Sequence, residues 1–298
     1  MQLKPLSEQV VVITGASSGI GLATAQAAAE AGAKLVLAAR SIETLDLICA
    51  DITAGGGSAV CVAADVASRE DVENVARTAI DEYGRIDTWI NNAGVSIYGK
   101  LEDVTEADNR RLFDTNFWGV VNGSLVALPH LKRAGGALIN VGSEVSDAVV
   151  PLQGMYSASK HAVKGFTDAL RVEVEEVADC NVSITLIQPT AVDTPYPQHA
   201  KNYMDREPKL PSPQIQPEQV ARAILDAATD PTRDVKVGMM AKINTMTAKL
   251  MPSIADKMSA LQADRQHYEE PPRNPEGALY QAGGMGMVHG TGGREART

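Results

Sequence analysis

Short apolar runs alternate with longer amphipathic segments over the first 237 residues of the chain. Each run has four to seven residues and is rich in valine and isoleucine, which is typical of strands covered on both faces. Seven strands are predicted, over residues 9–14, 34–39, 58–64, 85–91, 137–142, 182–187 and 234–237. Strands separated by helices run parallel, because a helical crossover returns the chain to the same end of the sheet.

The segments between these runs have helical periodicity. The predicted helices cover residues 20–31, 42–54, 69–83, 105–133, 154–178 and 217–228. Since the alternation never restarts, the sequence predicts one α/β domain of the doubly wound, Rossmann type over residues 1–237. Its parallel seven-stranded sheet is expected to be flanked by helices.

Three segments differ from this pattern. Residues 190–216 contain five prolines, which exclude a long helix and predict a substrate-binding loop. Residues 238–265 predict an amphipathic helical extension that packs on the domain or on a partner subunit, although its lysines leave membrane contact through 239–261 open. Residues 266–298, rich in proline and glycine, predict a flexible tail or one ordered only against a partner.

Composition argues against several classes of protein. With 27 basic and 37 acidic residues, the formal net charge is −10, and such a surface repels nucleic acid. No apolar run approaches the ~18 residues of a membrane span and no signal peptide is evident, so a cytoplasmic location is expected. Cys49, Cys61 and Cys180 contain no C-x-x-C pair; we expect reduced, buried thiols and no metal site.

A glycine-rich turn, TGASSGIG at residues 14–21, ends the first predicted strand and begins the first helix. Gly15, Gly19 and Gly21 let the chain turn tightly and let backbone N–H groups approach a pyrophosphate at the helix N-terminus. A purely structural turn would use the same residues. Its place between the first strand and the first helix favours dinucleotide binding.

Tyr156 and Lys160 are four residues apart in a predicted helix, so their side chains project from one face. An ammonium group beside a phenol lowers the pKa of the phenol, which then serves as a general acid and base between alcohols and carbonyls. The same spacing occurs by chance on many surface helices. Ser143 favours the functional interpretation, because it ends the fifth predicted strand at the edge where open parallel sheets bind ligands.

Together these motifs resemble the short-chain dehydrogenase/reductase (SDR) family over roughly residues 6–237. The turn, the sequence NNAG at residues 91–94, then Asn116, Ser143 and the Tyr-x-x-x-Lys pair follow the family's order. The resemblance implies an oxidoreductase that transfers a hydride between a nicotinamide dinucleotide and a carbonyl or secondary alcohol. It also implies a homodimer or a homotetramer.

The resemblance implies four catalytic roles. Tyr156 would exchange a proton with the substrate oxygen, and Lys160 would lower the pKa of Tyr156 and hold the nicotinamide ribose. Ser143 would stabilise charge on the substrate oxygen. Asn116, in a kinked helix, would support the proton relay from Lys160.

The implied cofactor site follows the carboxyl ends of several strands. Its residues are Gly15, Ser17, Ser18, Gly19, Ile20, Gly21, Arg40, Ser41, Asp65, Val66, Asn92, Ala93, Gly94, Tyr156, Lys160, Pro189, Thr190, Val192 and Thr194.

The end of the second strand favours NADP(H) over NAD(H). Members of the family that prefer NAD have a carboxylate here for the ribose 2′-OH, whereas this chain has Ala39, Arg40 and Ser41. A guanidinium group binds a 2′-phosphate through charge-assisted hydrogen bonds. The chain departs from the family at Thr190, where a glycine is usual, and the extra Cβ restricts the backbone there.

The predicted substrate contacts are Ser143, Val145, Gln153, Tyr156 and Tyr196. Their surroundings are mostly apolar, which favours an apolar carbonyl or secondary alcohol as the small-molecule substrate. The alternative function is a catalytically silent NADP(H)-binding scaffold or redox sensor. That alternative predicts a damaged catalytic residue, and the sequence contains all four.

Overall fold

The computed structural model describes residues 3–178, 180–284 and 286–290. Seven parallel strands form the main sheet in the spatial order β3-β2-β1-β4-β6-β7-β9. They are β1 (Val10–Thr14), β2 (Lys34–Ala39), β3 (Ser58–Ala63), β4 (Thr88–Asn91), β6 (Gly136–Val141), β7 (Val182–Pro189) and β9 (Asp234–Val237). Two short strands, β5 (Ile97–Tyr98) and β8 (Lys201–Asn202), pair separately. The predicted seven-stranded parallel sheet is confirmed.

Helices cover both faces of this sheet. They are α1 (Gly19–Glu30), α2 (Ile42–Ala54), α3 (Arg69–Tyr83), α4 (Glu106–Phe113), α5 (Gly119–Ala134), α6 (Gly154–Arg171), α7 (Tyr196–His199), α8 (Pro217–Ala227), α9 (Met239–Leu250) and α10 (Pro252–Ala260). Alternate residues of β1 enter opposite cores, since side chains along a strand point to alternate faces. Val11 and Ile13 pack with α1, α2 and α8, whereas Val12 packs with α3, α5 and α6.

The predicted helix over residues 105–133 is two α-helices joined by a π-helical turn, Asp114–Trp118. A second π-helical segment, Val172–Val177, continues α6. Such turns insert an extra residue into the helical ladder and have no clear sequence signature. The first of them contains Asn116, the residue that the resemblance places in a kinked helix.

The expectation of three reduced cysteines is wrong, because Cys49 and Cys61 form a disulfide. Cys49 lies in α2 and Cys61 in β3, and their Cα atoms are 6.5 Å apart, within the range that a disulfide spans. The crossover from α2 into β3 brings the two residues together, which cysteine spacing alone does not indicate. Cys180 is free.

The helical extension and the tail differ in how they pack. Several apolar residues of α9 and α10 are exposed, among them Met239, Leu250 and Ile254. No helix in the described residues is long and apolar enough to cross a membrane. The tail departs from the flexible segment that its composition predicts: Leu279 is fully buried in a small apolar cluster. Met285 and residues 291–298 of the predicted tail lie outside the described residues.

A buried polar network joins the centre of the sheet to α5, directly below the cleft. The side-chain nitrogen of Asn91 donates to Asn140 Oδ1 at 2.8 Å and to Ser124 Oγ at 3.1 Å. Its oxygen accepts from Trp89 Nε1 at 2.8 Å. All four side chains are buried. Asn91 therefore fixes the base of residues 92–94 rather than facing a ligand.

Replacing Asn91 with alanine should lower the free energy of unfolding by about 2–3 kcal/mol, because buried donors and acceptors would lose their partner. Urea unfolding followed by circular dichroism measures the change. Asn74→Ala, at an exposed position of α3, is the matched control and should cost less than about 0.5 kcal/mol. Equal losses for the two variants would contradict the structural role of Asn91.

Candidate active site

One cleft opens at the carboxyl ends of the parallel strands, beside the point between β1 and β4 where the strand order reverses. All the predicted site residues line it except Gly21 and Asn116. The structure thus brings together the glycine-rich turn, the ends of β2, β3, β4, β6 and β7, and the first turns of α6.

The glycine-rich turn and residues 92–94 approach each other too closely for side chains. Gly15 has φ +66°, and a Cβ there would lie 2.7 Å from the Cα of Ala93. A Cβ at Gly21 would lie 2.1 Å from the carbonyl oxygen of Gly15. Asn92 fastens this contact by donating to the carbonyl oxygens of Thr14 and Gly15, at 3.0 and 3.1 Å.

The resulting cradle is lined by backbone and opens at the N-terminus of α1, where helical N–H groups lack partners within the helix. Ser17, Ser18, Gly19 and Ile20 all line it. These residues fit the diphosphate of a dinucleotide, because backbone N–H groups at a helix N-terminus bind anions.

Positive charge collects at the ends of β2 and β3. Arg40 lines the cleft; burial lowers the pKa of its guanidinium group, Asp65 raises it and Arg111 lowers it further. Asp65 forms an ion pair with Arg111 at 2.5 Å. One carboxylate thus stands beside two guanidinium groups, which leaves a net positive charge. No sequence motif indicates Arg111, which lies in α4, 46 residues away from Asp65.

Tyr156, Ser143 and Lys160 form the opposite end of the cleft. Tyr156 and Ser143 both line this end, and the Tyr156 ring packs edge-on against Tyr196 with centroids 5.5 Å apart. Lys160 is buried; its Nζ donates to the carbonyl oxygen of Val141 at 2.9 Å and lies 5.7 Å from the centroid of the Tyr156 ring. Tyr156 and Lys160, four residues apart on α6, therefore project from the same face of the helix, as predicted.

The pKa of Tyr156 differs in sign from the sequence-based expectation. Burial raises it, and the hydrogen bonds from Tyr196 and Ser143 lower it only in part, while Glu144 raises it further. Burial also lowers the pKa of Lys160 to about 8. The spacing of the pair predicted which groups meet, but the depth of the pocket decides the shifts.

Thr190, which stands where the family usually has a glycine, is accommodated by its neighbours Glu144 and Gly238. Burial raises the pKa of Glu144, and hydrogen bonds from Asn244 and Thr190 lower it in part. The Asn244 side chain donates to Glu144 at 2.9 Å. A Cβ at Gly238 would come within 2.7 Å of the Thr190 methyl group, so a glycine opposite makes room for threonine.

Asn116 fastens the chain around the predicted catalytic residues. Its Oδ1 accepts from the N–H of Val95 at 2.8 Å. Its Nδ2 donates to the carbonyl oxygen of Val95 at 3.0 Å and to Ser159 Oγ at 3.1 Å. The amide of Asn116 thus links the segment after β4 to α6, one residue from Lys160.

Gln153 is also held by protein groups. Its Oε1 accepts from Tyr196 at 2.9 Å and from Ser96 at 3.2 Å, and its Nε2 donates to Gln266 at 2.8 Å. Gln153 lines the cleft, so its contact with substrate stays a prediction, and its Oε1 also holds the Tyr196 hydroxyl. The sequence missed Gln266, because it lies in the segment whose composition predicts flexibility.

Apolar side chains also line the cleft, among them Val95, Val145, Val150, Leu210 and Pro211. Within the described residues, no group of three His, Cys, Asp or Glu side chains could hold a metal ion.

Comparison with known proteins identifies the family. Residues 9–204 match the sequence model of the family described as short chain dehydrogenase. The chain is 47% identical over 289 residues to an uncharacterized oxidoreductase of Bacillus subtilis, YxnA, covering 95% of this chain and 81% of that protein. The protein therefore belongs to the short-chain dehydrogenase/reductase family of oxidoreductases.

Solved structures agree with this assignment. A short chain dehydrogenase/reductase from Burkholderia phymatum, in complex with NAD, is 26% identical with a TM-score of 0.74, covering 83% of this chain and 96% of its own. A short chain dehydrogenase from Burkholderia cenocepacia, in complex with NADP, is 27% identical with a TM-score of 0.71, covering 87% and 99%. Both nicotinamide dinucleotides thus occur in similar structures.

The low pKa of Lys160 gives a pH-dependent stability. Because the pKa is about 8 in the fold and 10.5 ordinarily, the folded protein bears the cost of a buried charge below pH 8. The unfolded chain binds more protons between these values, so unfolding free energy rises with pH across this window. Lys160→Met should be more stable than wild type at pH 7, by roughly 1–3 kcal/mol, and this advantage should shrink between pH 8 and 10.5.

Urea unfolding at pH 7, 8.5 and 10 measures this difference. Lys164→Met on the same helix is the matched control. Burial lowers the pKa of Lys164, but Asp147 and Asp168 outweigh burial and raise it. Its replacement should therefore destabilise the protein at pH 7. An advantage of Lys160→Met that does not vary with pH would contradict the inferred shift.

Proposed function

We propose that the protein is an NADP(H)-dependent oxidoreductase that interconverts an apolar carbonyl compound and its secondary alcohol. The observation that carries this proposal is the grouping of Tyr156 and Ser143 at one end of the cleft, with the Nζ of the buried Lys160 5.7 Å from the centroid of the Tyr156 ring. The glycine-lined cradle lies at the other end of the same cleft.

Each catalytic side chain has a defined task in this proposal. A bound nicotinamide dinucleotide supplies or accepts the hydride. The Tyr156 hydroxyl gives its proton to the substrate oxygen during reduction and takes it back during oxidation. Ser143 donates a hydrogen bond to the same oxygen and stabilises the charge that develops there.

Protonation states favour reduction. The raised pKa of Tyr156 keeps its phenol protonated at neutral pH, which is the form that donates to a carbonyl oxygen. Lys160, with a pKa of about 8, is largely an ammonium ion at pH 7 and could bind ribose hydroxyls beside Tyr156. Asn116 holds the backbone on which this end of the site depends, and we propose that it supports the proton relay from Lys160.

Charge at the nucleotide end supports NADP(H) over NAD(H). Arg40 lines the cleft where a carboxylate would select the free 2′-OH, and Arg111 adds a second guanidinium group nearby. Asp65 neutralises only one of them. A 2′-phosphate brings the negative charge that this end lacks, and it binds guanidinium groups with charge-assisted hydrogen bonds.

The catalytic end supports an apolar substrate. Valine, leucine and proline side chains line it, and the polar group of Gln153 is already bonded to Tyr196 and Ser96. We also propose a homodimer or homotetramer that uses α5 and α6, on or beside which Leu125, Val172 and Val177 are exposed.

Tyr156→Phe should lower kcat for NADPH-dependent reduction by about 100-fold or more, because the general acid is lost. Turnover is measured as NADPH oxidation over a panel of apolar ketones, aldehydes, quinones and steroids. NADPH binding, followed by fluorescence, should remain. Tyr83→Phe in α3 is the control, since this hydroxyl bonds Ser58 at an exposed position away from the cleft. Full activity of Tyr156→Phe would exclude the proposed acid, whereas NADPH binding without turnover by wild type would favour the silent scaffold.

Arg40→Ala should raise the Kd for NADPH by about tenfold or more and change the Kd for NADH by less than about threefold, because only NADPH has a 2′-phosphate. Isothermal titration calorimetry gives both constants. Arg77→Ala, at an exposed position of α3, serves as the matched control. Equal effects on the two dinucleotides would reject Arg40 as the specificity residue.

A further inference from the structure

The tail crosses the nucleotide end of the cleft. We define the strap as residues 278–284 and 286–290. Ala278, Ala282 and Gly283 of the strap line the cleft. Among the described residues, no hydrogen bond joins the strap to Tyr156 or Lys160 at the catalytic end of the cleft.

The strap accepts hydrogen bonds from Arg40 and Gly19, which the cofactor would need, and its Leu279 carbonyl oxygen also accepts from Arg111 Nε at 3.2 Å. At one end, the two terminal nitrogens of Arg40 donate to the carbonyl oxygens of Leu279, at 3.2 Å, and of Ala278. At the other end, the N–H of Gly19 donates to the carbonyl oxygen of Met287 at 2.9 Å. Gly19 is the first residue of α1, and Arg40 directly follows β2.

These contacts and a bound dinucleotide exclude each other in part. The Gly19 N–H carries a single hydrogen, so it cannot give a full hydrogen bond to Met287 and to a phosphate oxygen at once. Without the strap this N–H would be a free donor at a helix N-terminus, which is an anion site. A 2′-phosphate would likewise compete with two carbonyl oxygens for Arg40.

Side chains hold the strap in place at both ends. Leu279 is fully buried beside Val95, Ile97 and Leu112. The Tyr280 hydroxyl donates to Asp108 at 2.7 Å. At the far end, His289 lies 2.9 Å from Glu218 and 3.4 Å from Asp193.

The chain that leads into the strap pairs with the substrate-binding loop. Backbone hydrogen bonds join Lys209 to Gln266 at 2.9 Å, Glu207 to Glu270 at 2.8 Å and Asn202 to Pro275 at 2.8 Å. The N–H of Ala278 then donates to His199 at 2.7 Å. Backbone hydrogen bonds therefore couple the strap to the loop beside the substrate pocket.

We propose that the strap is a built-in competitor of the dinucleotide and sets the protein's preference between NADP(H) and NAD(H). This inference rests on the proposed function of the cleft. Cofactor binding displaces the carbonyl oxygens of Met287, Ala278 and Leu279 from Gly19 and Arg40. Both dinucleotides need Gly19, but only the 2′-phosphate needs Arg40, so the strap weakens NADP(H) binding more than NAD(H) binding.

The double variant Tyr280→Phe/His289→Ala in the full chain tests the strap. It removes one anchor at each end and leaves the cleft residues unchanged. We expect the Kd for NADPH to fall about threefold to tenfold, and the Kd for NADH to fall by a smaller factor, as measured by calorimetry. The fragments 2′,5′-ADP and 5′-AMP should show the same contrast, because they probe the nucleotide end alone. Tyr83→Phe/His130→Ala, on α3 and α5, is the matched control.

A second measurement uses the wild-type chain. NADPH should speed chymotryptic cleavage after Tyr280 at least about threefold, because the released strap can enter a protease. Slower cleavage with NADPH, or a higher Kd for NADPH in the double variant, would mean that the strap stays in place and stabilises the bound cofactor. Either result would overturn the proposal. If the double variant binds NADPH and NADH with unchanged Kd values, the proposed competition by the strap is wrong, whereas the proposed function of the cleft stands. Failure of every variant to bind either dinucleotide would overturn the proposed function as well.

Discussion

The close contact between the backbone at Gly15 and the backbone at Ala93 is the constraint on which the cleft depends. It brings the turn after β1 against the segment after β4, where the strand order of the sheet reverses. A side chain at Gly15 or Gly21 would push these segments apart. Asn91 and Asn92 hold the contact from below and from the side. Through it, the chain presents backbone donors to one end of the cleft and the first turns of α6 to the other.

Local sequence predicted what depends on local chemistry. The strands, the glycine-rich turn and the alignment of Tyr156 with Lys160 follow from periodicity and spacing, and the structure contains all of them. The π-helical turn, the Cys49–Cys61 disulfide and the position of Arg111 depend on crossovers between distant segments. The pKa of Tyr156 also escaped prediction, because its sign depends on burial rather than on the nearest charge.

The tail shows the same limit most clearly. Its proline and glycine content predicts flexibility, because few apolar side chains are available to form a core. The tail is nevertheless held against the domain. Leu279 inserts between β5 and α4, and backbone carbonyl oxygens of the tail accept hydrogen bonds from Arg40 and Gly19. Every residue has a backbone carbonyl oxygen, so composition does not predict which of these oxygens will accept a hydrogen bond from the domain. Gln266 lies in the same segment, and the contact of its side-chain oxygen with Gln153 depends on how that segment packs.

The strap meets Arg40 and Gly19 through main-chain oxygens alone, and this has an evolutionary consequence. Substitutions that keep the backbone path leave those oxygens in place, but two glycines between the anchors restrict residue type. A Cβ at Gly283 would lie 2.9 Å from the His199 ring, and Gly286 has φ +54°. An insertion or deletion between Leu279 and Met287 would shift the register and misplace one oxygen relative to the other. Natural variation in this segment should therefore be strict in length and at these two glycines, and more permissive at the other positions. Related chains of a different length would have cofactor sites with a different balance between the two dinucleotides.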